Sequence, residues 1–181
     1  MQPTTARSEP VIETPRLRLR PAEPRDIDPL LAELADFDVV KMLARVPYPY
    51  RRRDAEHFLA ASAKAAGRDL HLSIFVDDRL IGGIGVTDIA GDCEFGYWFG
   101  RAHWGKGYAT EAGRAVIEHT FANHAVDAIR SGAFVGNDAS LRVQEKLGFE
   151  PVGRHMVHCL ARGRAIEHID TVLTRERFAS P

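Results

Sequence analysis

The chain has 181 residues, with 45% hydrophobic and 27% charged side chains, the balance of a soluble globular protein. At about 150 residues per domain, that is one domain with a short extension. Lys and Arg number 24 against 25 Asp and Glu, so the net charge of −1 gives no field that calls for nucleic acid or an anionic membrane.

Residues 1–14 are polar and rich in Pro and Thr, and they read as a flexible lead-in to a single domain over 15–178. No apolar run marks a signal peptide, and no stretch approaches the ~20 residues of a membrane span. Cys93 and Cys159 make no disulfide framework and read as reduced thiols, which predicts a cytoplasmic protein.

Arg16 to Arg20 alternates with period two and predicts a strand. Ile27, Leu30, Leu31 and Leu34 predict a helix over Asp26 to Phe37, with Asp26 as N-cap. A short helix over Val39 to Ala44 follows, broken by Pro47-Tyr48-Pro49-Tyr50. A third helix runs to about Ala66, with Ala55, Phe58, Leu59, Ser62 and Ala65 on one stripe, and Gly67 ends it.

The period then changes. Leu70–Val76 and Leu80–Val86 predict a hairpin turning at Asp77-Asp78-Arg79, and Cys93–Phe99 predicts an aromatic strand. Tyr108 to Asn123 is the clearest helix: Ala109, Ala112, Val116, Ile117 and Phe121 form its apolar stripe, and Glu111, Arg114 and Glu118 face outward. Ala128–Val135 predicts a strand, Asn137–Lys146 a helix ended by Gly148, and 150–160 and 164–174 two long strands. This order predicts an α+β domain, three-layer α/β/α, with a mixed sheet.

Trp104-Gly105-Lys106-Gly107-Tyr108-Ala109-Thr110-Glu111 follows a strand and opens the best helix. Glycines there let several backbone N–H groups converge on a ligand, and the helix N-terminus favours an anion such as a pyrophosphate. The Walker pattern fails, because no Ser or Thr follows a Gly-Lys pair. The dinucleotide fingerprint fails because Thr110 stands where a third glycine is required.

This loop and five further segments, in order, resemble the GNAT (Gcn5-related N-acetyltransferase) superfamily, most of all its RimJ/RimL-type branch. The others are Glu13-Thr14-Pro15-Arg16-Leu17-Arg18-Leu19-Arg20, Pro47-Tyr48-Pro49-Tyr50, Ile81-Gly82-Gly83-Ile84-Gly85, Glu94-Phe95-Gly96-Tyr97-Trp98-Phe99, and Asn137-Asp138-Ala139-Ser140 through Lys146-Leu147-Gly148-Phe149. The resemblance implies an acyl-CoA N-acyltransferase fold: a twisted, mainly antiparallel sheet, splayed at its centre between Glu94–Phe99 and Ala128–Val135.

It also implies that acetyl-CoA is the cosubstrate, held by Phe99, Trp104, Gly105, Lys106, Gly107, Tyr108, Ala109, Thr110 and Asn137, with its pantetheine arm in the splay. Trp104 stands where the family often has Arg or Gln. Many members place an acidic Tyr one turn after Ser140. The residue here is Gln144, so Ser140 is the expected donor to the leaving thiolate. Glu94 is the expected base, by its place on the aromatic strand. An alternative for Glu94 is a surface salt-bridge partner, and for Asn137 and Ser140 plain helix capping.

The expected reaction is direct acetyl transfer to a primary amine, without a metal. A peptide N-terminal α-amine, with pKa ~7.7–8.0, is easier to deprotonate than an alkylamine at ~10. Alternatives are a small-molecule amine acceptor or a non-catalytic acyl-CoA-binding domain. A homodimer is left open. His155/His158 and His119/His124 lack a third metal ligand, and Arg51-Arg52-Arg53 reads as a solvated face. Tyr48 and Tyr50 read as either the acceptor-side wall or a rigid turn. Cys93 lacks a neighbouring base, and Asp170 matches an acidic position of the branch without an assigned role.

Overall fold

The computed structural model describes residues 10–179. Eight strands form one sheet: β1 (Ile12–Glu13), β2 (Arg18–Arg20), β3 (Leu70–Val76), β4 (Arg79–Thr87), β5 (Glu94–Phe99), β6 (Ala128–Phe134), β7 (Glu150–Cys159) and β8 (Arg164–Thr174). Their spatial order is β1-β2-β3-β4-β5-β6-β8-β7. The β5–β6 pair alone is parallel, and it consists of one register pair, Glu94 with Arg130. The β3–β4 hairpin turns through Asp77 and Asp78, both left-handed at φ 46° and 61°, the conformation whose twist matches its strands.

Among the described residues six α-helices complete the domain: α1 (Ile27–Glu33), α2 (Phe37–Val40), α3 (Arg52–Ala65), α4 (Tyr108–Asn123), α5 (Asp138–Leu147) and α6 (Arg175–Ala179). Helices α4 and α5 cover one face of the sheet. There Ile74, Ile84, Val86 and Phe95 pack with Val116, Ile117 and Leu147 in one large core. The opposite face carries three small clusters: Leu30 with Phe75 and Leu80, Leu34 with Val39 and Val40, and Phe134 with Cys159 and Ile166. The fold is therefore the expected three-layer α+β domain with a mixed, mainly antiparallel sheet.

Several expectations need correction. Residues 1–9 of the expected lead-in lie outside the described residues, but Ile12–Glu13 pairs with β2. Thr14 also hydrogen-bonds the Glu111 carboxylate at 2.6 Å, which ties this segment to α4. Asp26 stands at the N-cap of α1 as expected, but its side chain does not cap that helix; it is buried, accepts from Arg20 at 2.7 and 2.9 Å, and accepts from Glu23 N at 2.7 Å, closing the capping box of the 3-10 turn Pro24–Asp26. The helix expected from 26 to 37 breaks after Glu33, and α2 restarts on the Asp36 cap, whose side chain accepts from Asp38 N at 2.8 Å. Of the expected α3 stripe only Ala55 is buried: α3 packs mainly on α1, and Phe58 stays exposed.

Candidate active site

Past Glu94 and Arg130, β5 and β6 diverge, and no further register pair joins them among the described residues. Ser131 Oγ donates to Phe95 O at 2.9 Å across the closed end. The strands are parallel, so α4 after β5 and α5 after β6 both begin at the open end of this gap. Two helix N-termini, each with unpaired N–H groups, thus flank one opening.

The loop before α4 is shaped by Gly105 and Gly107 at φ 74° and 79°, a region costly for residues with a Cβ. Gly107 is the N-cap of α4 and makes no side-chain cap bond, so the N–H groups of Tyr108, Ala109 and Thr110 face outward from the first turn. Trp104 is half exposed, and its indole N–H donates to Phe99 O at 2.8 Å, which folds the loop back onto β5. The Phe99 ring lies in the core, so only its main chain is available to a ligand.

A brace behind the loop was missed in the sequence. Arg16 donates to Lys106 O at 3.0 Å and to Glu111 at 2.6 Å, with its guanidinium 4.7 Å from the Tyr108 ring centre. Glu111, expected to face outward, instead accepts from Thr14 and Arg16. Burial pushes its carboxyl pKa up, but the bonds from Thr14 and Arg16 outweigh that and hold it below the ordinary value.

On α5, Asn137 Oδ1 accepts from Ser140 N at 3.3 Å, a helix cap. Ser140 Oγ lies 2.8 Å from Tyr97 OH of β5 and accepts from Gln144 Nε2 at 3.2 Å. Gln144 is 1% exposed and also donates to Gly132 O at 2.9 Å, while its Oε1 accepts from Thr171 Oγ1 at 2.6 Å. These partners fix the amide orientation. Burial pushes the Tyr97 pKa up to about 12, so Tyr97 stays a neutral hydroxyl. With Tyr97 donating to Ser140 Oγ, the serine proton is free to point into the gap. Neither Tyr97 nor the buried Gln144 network was read as part of the site. The signal available was the side-chain parity of β5.

Glu94 is exposed on the opposite face, paired with Arg45 at 2.7 Å. Trp98, on the same face, packs against Leu34, Val39 and Val40. Tyr48 is exposed and meets Phe37 edge-on at 5.0 Å; burial raises the Tyr50 pKa to about 12. Of the arginines at the start of α3, Arg51 is the N-cap and Arg52 pairs with Asp28, all on an exposed surface. Cys93 is buried, and that burial, with Asp88 nearby, pushes its thiol pKa up to about 11.

The structure also gathers three residues that the sequence left apart. His155 on β7 is the register partner of His168 on β8. Their Nδ1 atoms lie 2.8 and 2.9 Å from the two oxygens of Asp170, and the donor atoms of all three fall within 4.8 Å. His158, with which His155 was weighed, lies on the other face by strand parity.

Comparison with known proteins agrees with this geometry. The Acetyltransferase (GNAT) domain model matches residues 16–150. The uncharacterized N-acetyltransferase p20 of Bacillus licheniformis is 31% identical over 171 residues, covering 90% of this chain and 96% of that protein. Mycobacterium smegmatis RimJ in complex with CoA-disulfide superposes with TM-score 0.82 at 18% identity, over 94% of this chain and 88% of the other. Spermidine N-acetyltransferase from Vibrio cholerae, in complex with CoA and spermine, gives 0.78 at 17% identity, over 92% and 100%. The chain belongs to the GNAT family and is an acyltransferase. No helix among the described residues is long and apolar enough to cross a membrane.

Proposed function

We propose that this enzyme transfers the acetyl group of acetyl-CoA directly to a primary amine, and that its preferred acceptor is the α-amine of a peptide or protein N-terminus. The observation that carries the reading is the β5–β6 gap, flanked by the glycine loop and the N-terminus of α4 and lined by Ser140. Backbone N–H groups from about Gly105 to Thr110 hold the pyrophosphate, Trp104 and Lys106 border it, and Asn137 contacts the arm. The exposed main chain of β5 pairs with the pantetheine.

The amine nitrogen attacks the thioester carbon, the C–S bond breaks, and sulfur leaves with the electron pair. Ser140 delivers the proton that sulfur takes. A weak donor suffices, because a thiol has pKa ~8.5 and its anion leaves readily. Holding both reactants in one gap supplies much of the acceleration. Glu94, on the acceptor face beside Arg45, is the carboxylate first expected to take the amine proton.

The α-amine is favoured on two grounds. Its pKa of ~7.7–8.0 leaves a large free fraction near neutrality, whereas a polyamine at ~10 does not. The net charge of −1 also provides little steering toward a polycation. The fold likeness to RimJ is consistent with this reading, and two buried, unpaired cysteines accord with a reducing, cytoplasmic setting.

The test mixes the protein with acetyl-CoA and a panel of short peptides, amino acids, spermidine and aminoglycosides, and follows free thiol release. Turnover highest with peptides is the expected result. Highest turnover with spermidine would transfer the assignment to a small amine. Acetyl-CoA binding without turnover on any amine would leave a binding domain only.

A further inference from the structure

The acceptor face has a row without side chains at the level where β5 and β6 part. Glu94 and Arg130 are the last paired residues, and the next residues on that face are Gly96 and Gly132. A Cβ placed on Gly96 would meet nothing within 4 Å. A Cβ placed on Gly132 would come within 2.2 Å of His168 Cε1. The missing side chain at 132 therefore lets the His168 ring lie over β6, at the edge of the opening.

The coenzyme side of the same level is marked by Gly132 O. It accepts from Gln144 Nε2, which also donates to Ser140 Oγ. Gln144, the donor to Ser140, and His168 thus meet one strand residue from opposite faces of the sheet. A thioester in the gap would have the serine hydroxyl on one side and an imidazole on the other.

Asp170 organises that imidazole. A carboxylate only accepts, so each Nδ1 beside it carries the hydrogen. In a neutral ring so held, the lone pair is on Nε2. Burial pushes the Asp170 pKa up, but the bonds from His155 and His168 outweigh it and keep the carboxyl below its usual range, so it remains an acceptor. His168 is 21% exposed at its side chain and packs edge-on to Phe134 at 5.7 Å, whereas His155 is 57% exposed. The more sheltered ring is the one over Gly132. Charged groups on this face include Arg130 on β6, Glu94 on β5, Arg45 after α2, and Arg162, whose guanidinium lies 5.6 Å from the Phe134 ring centre; Arg20 and Asp26 lie further off, beside Phe75.

We propose that His168, positioned by Asp170 and His155, is the catalytic base that takes the proton from the acceptor amine on the open face of the Gly96–Gly132 level. The proposal rests on the acetyl-transfer reading above and replaces Glu94 in the proton step. The ammonium loses two protons overall. His168 Nε2 takes the first and passes it to solvent. The nitrogen lone pair forms the N–C bond as C–S breaks. The second nitrogen proton goes to Ser140 Oγ as Ser140 hands its own proton to sulfur, so the serine ends as a neutral hydroxyl.

The test compares wild type, His168→Gln, Asp170→Asn and Glu94→Gln with saturating acetyl-CoA and the best amine of the panel, alongside calorimetric acetyl-CoA affinity. His168→Gln is expected to lose about 100-fold or more in kcat, the scale of a lost general base, with coenzyme affinity within about twofold. Its deficit should narrow as pH rises toward the pKa of the amine, because the free amine no longer needs the base. Asp170→Asn, nearly isosteric, should follow the same pattern more weakly, and it decides the question if His168→Gln does not fold. Wild-type kcat in both variants, a deficit independent of pH, or a loss confined to Glu94→Gln would overturn the proposal while leaving acetyl transfer intact. Failure of the wild type to bind acetyl-CoA would remove both readings.

Discussion

On the α4–α5 face, Phe95, Ile117 and Leu147 belong to a continuous apolar core, whereas on the α1–α3 face the buried groups separate into three small islands. Between the islands lie Gly96, Gly132 and a set of charged and imidazole side chains. In the proposed reading the first face grips the coenzyme by main chain and helix ends, which calls for a rigid frame, and the second takes the smaller acceptor with side-chain chemistry. The difference follows from where the apolar residues fall on alternate positions of the same strands.

Substitutions on either side test that division. On the α4–α5 side the largest effect is expected from Ser140→Ala, on the scale of His168→Gln: its kcat should fall roughly 100-fold with acetyl-CoA affinity little changed, as measured by thiol release and calorimetry. Unchanged turnover would assign Ser140 to helix capping alone. Gly107→Ala comes next. A side chain at φ 79° costs roughly 1–2 kcal/mol, and the loop can relieve it only by turning its N–H groups. Acetyl-CoA affinity should drop about tenfold, with the acceptor KM unaffected.

Glu111→Gln probes the brace. The folded-state pKa of Glu111 is lowered, so its stabilisation is present above the unfolded value near ~4.3 and is lost as pH falls through the folded one. At pH 7 the variant should melt roughly 2–4 °C lower, the shift for about 1 kcal/mol in a chain of this size. Once the pH has fallen below the folded-state pKa, the two melting curves should converge. The smallest effect is expected from Met156→Lys on the edge strand β7, where the side chain is 61% exposed. Stability should stay within about 0.5 kcal/mol, as for surface changes away from special features.

Most of the frame was legible in the sequence. The 108–123 helix and the β3–β4 hairpin carried their own periodicity and turn residues, and both occur where expected. The glycine loop announced itself by its spacing before that helix. Contacts that depend on distant strands did not. Thr14 and Arg16 meet Glu111 more than 90 residues away, across a loop no local pattern describes. His155 reaches His168 only through the β7–β8 register, which shifts between Pro151 and Gly153. A slip of one residue would put that ring on the other face. The branch-typical residue Asp170 was visible, but its two partners were not.

Both thiols of the chain are shut away: Cys93 is 2% and Cys159 0% exposed, the latter against Lys41 O and Leu43 O at 3.6 and 3.5 Å. An aromatic disulfide dye added to the native enzyme should therefore colour only with coenzyme set loose by turnover, and a slow rise without any amine present would report the polypeptide opening up.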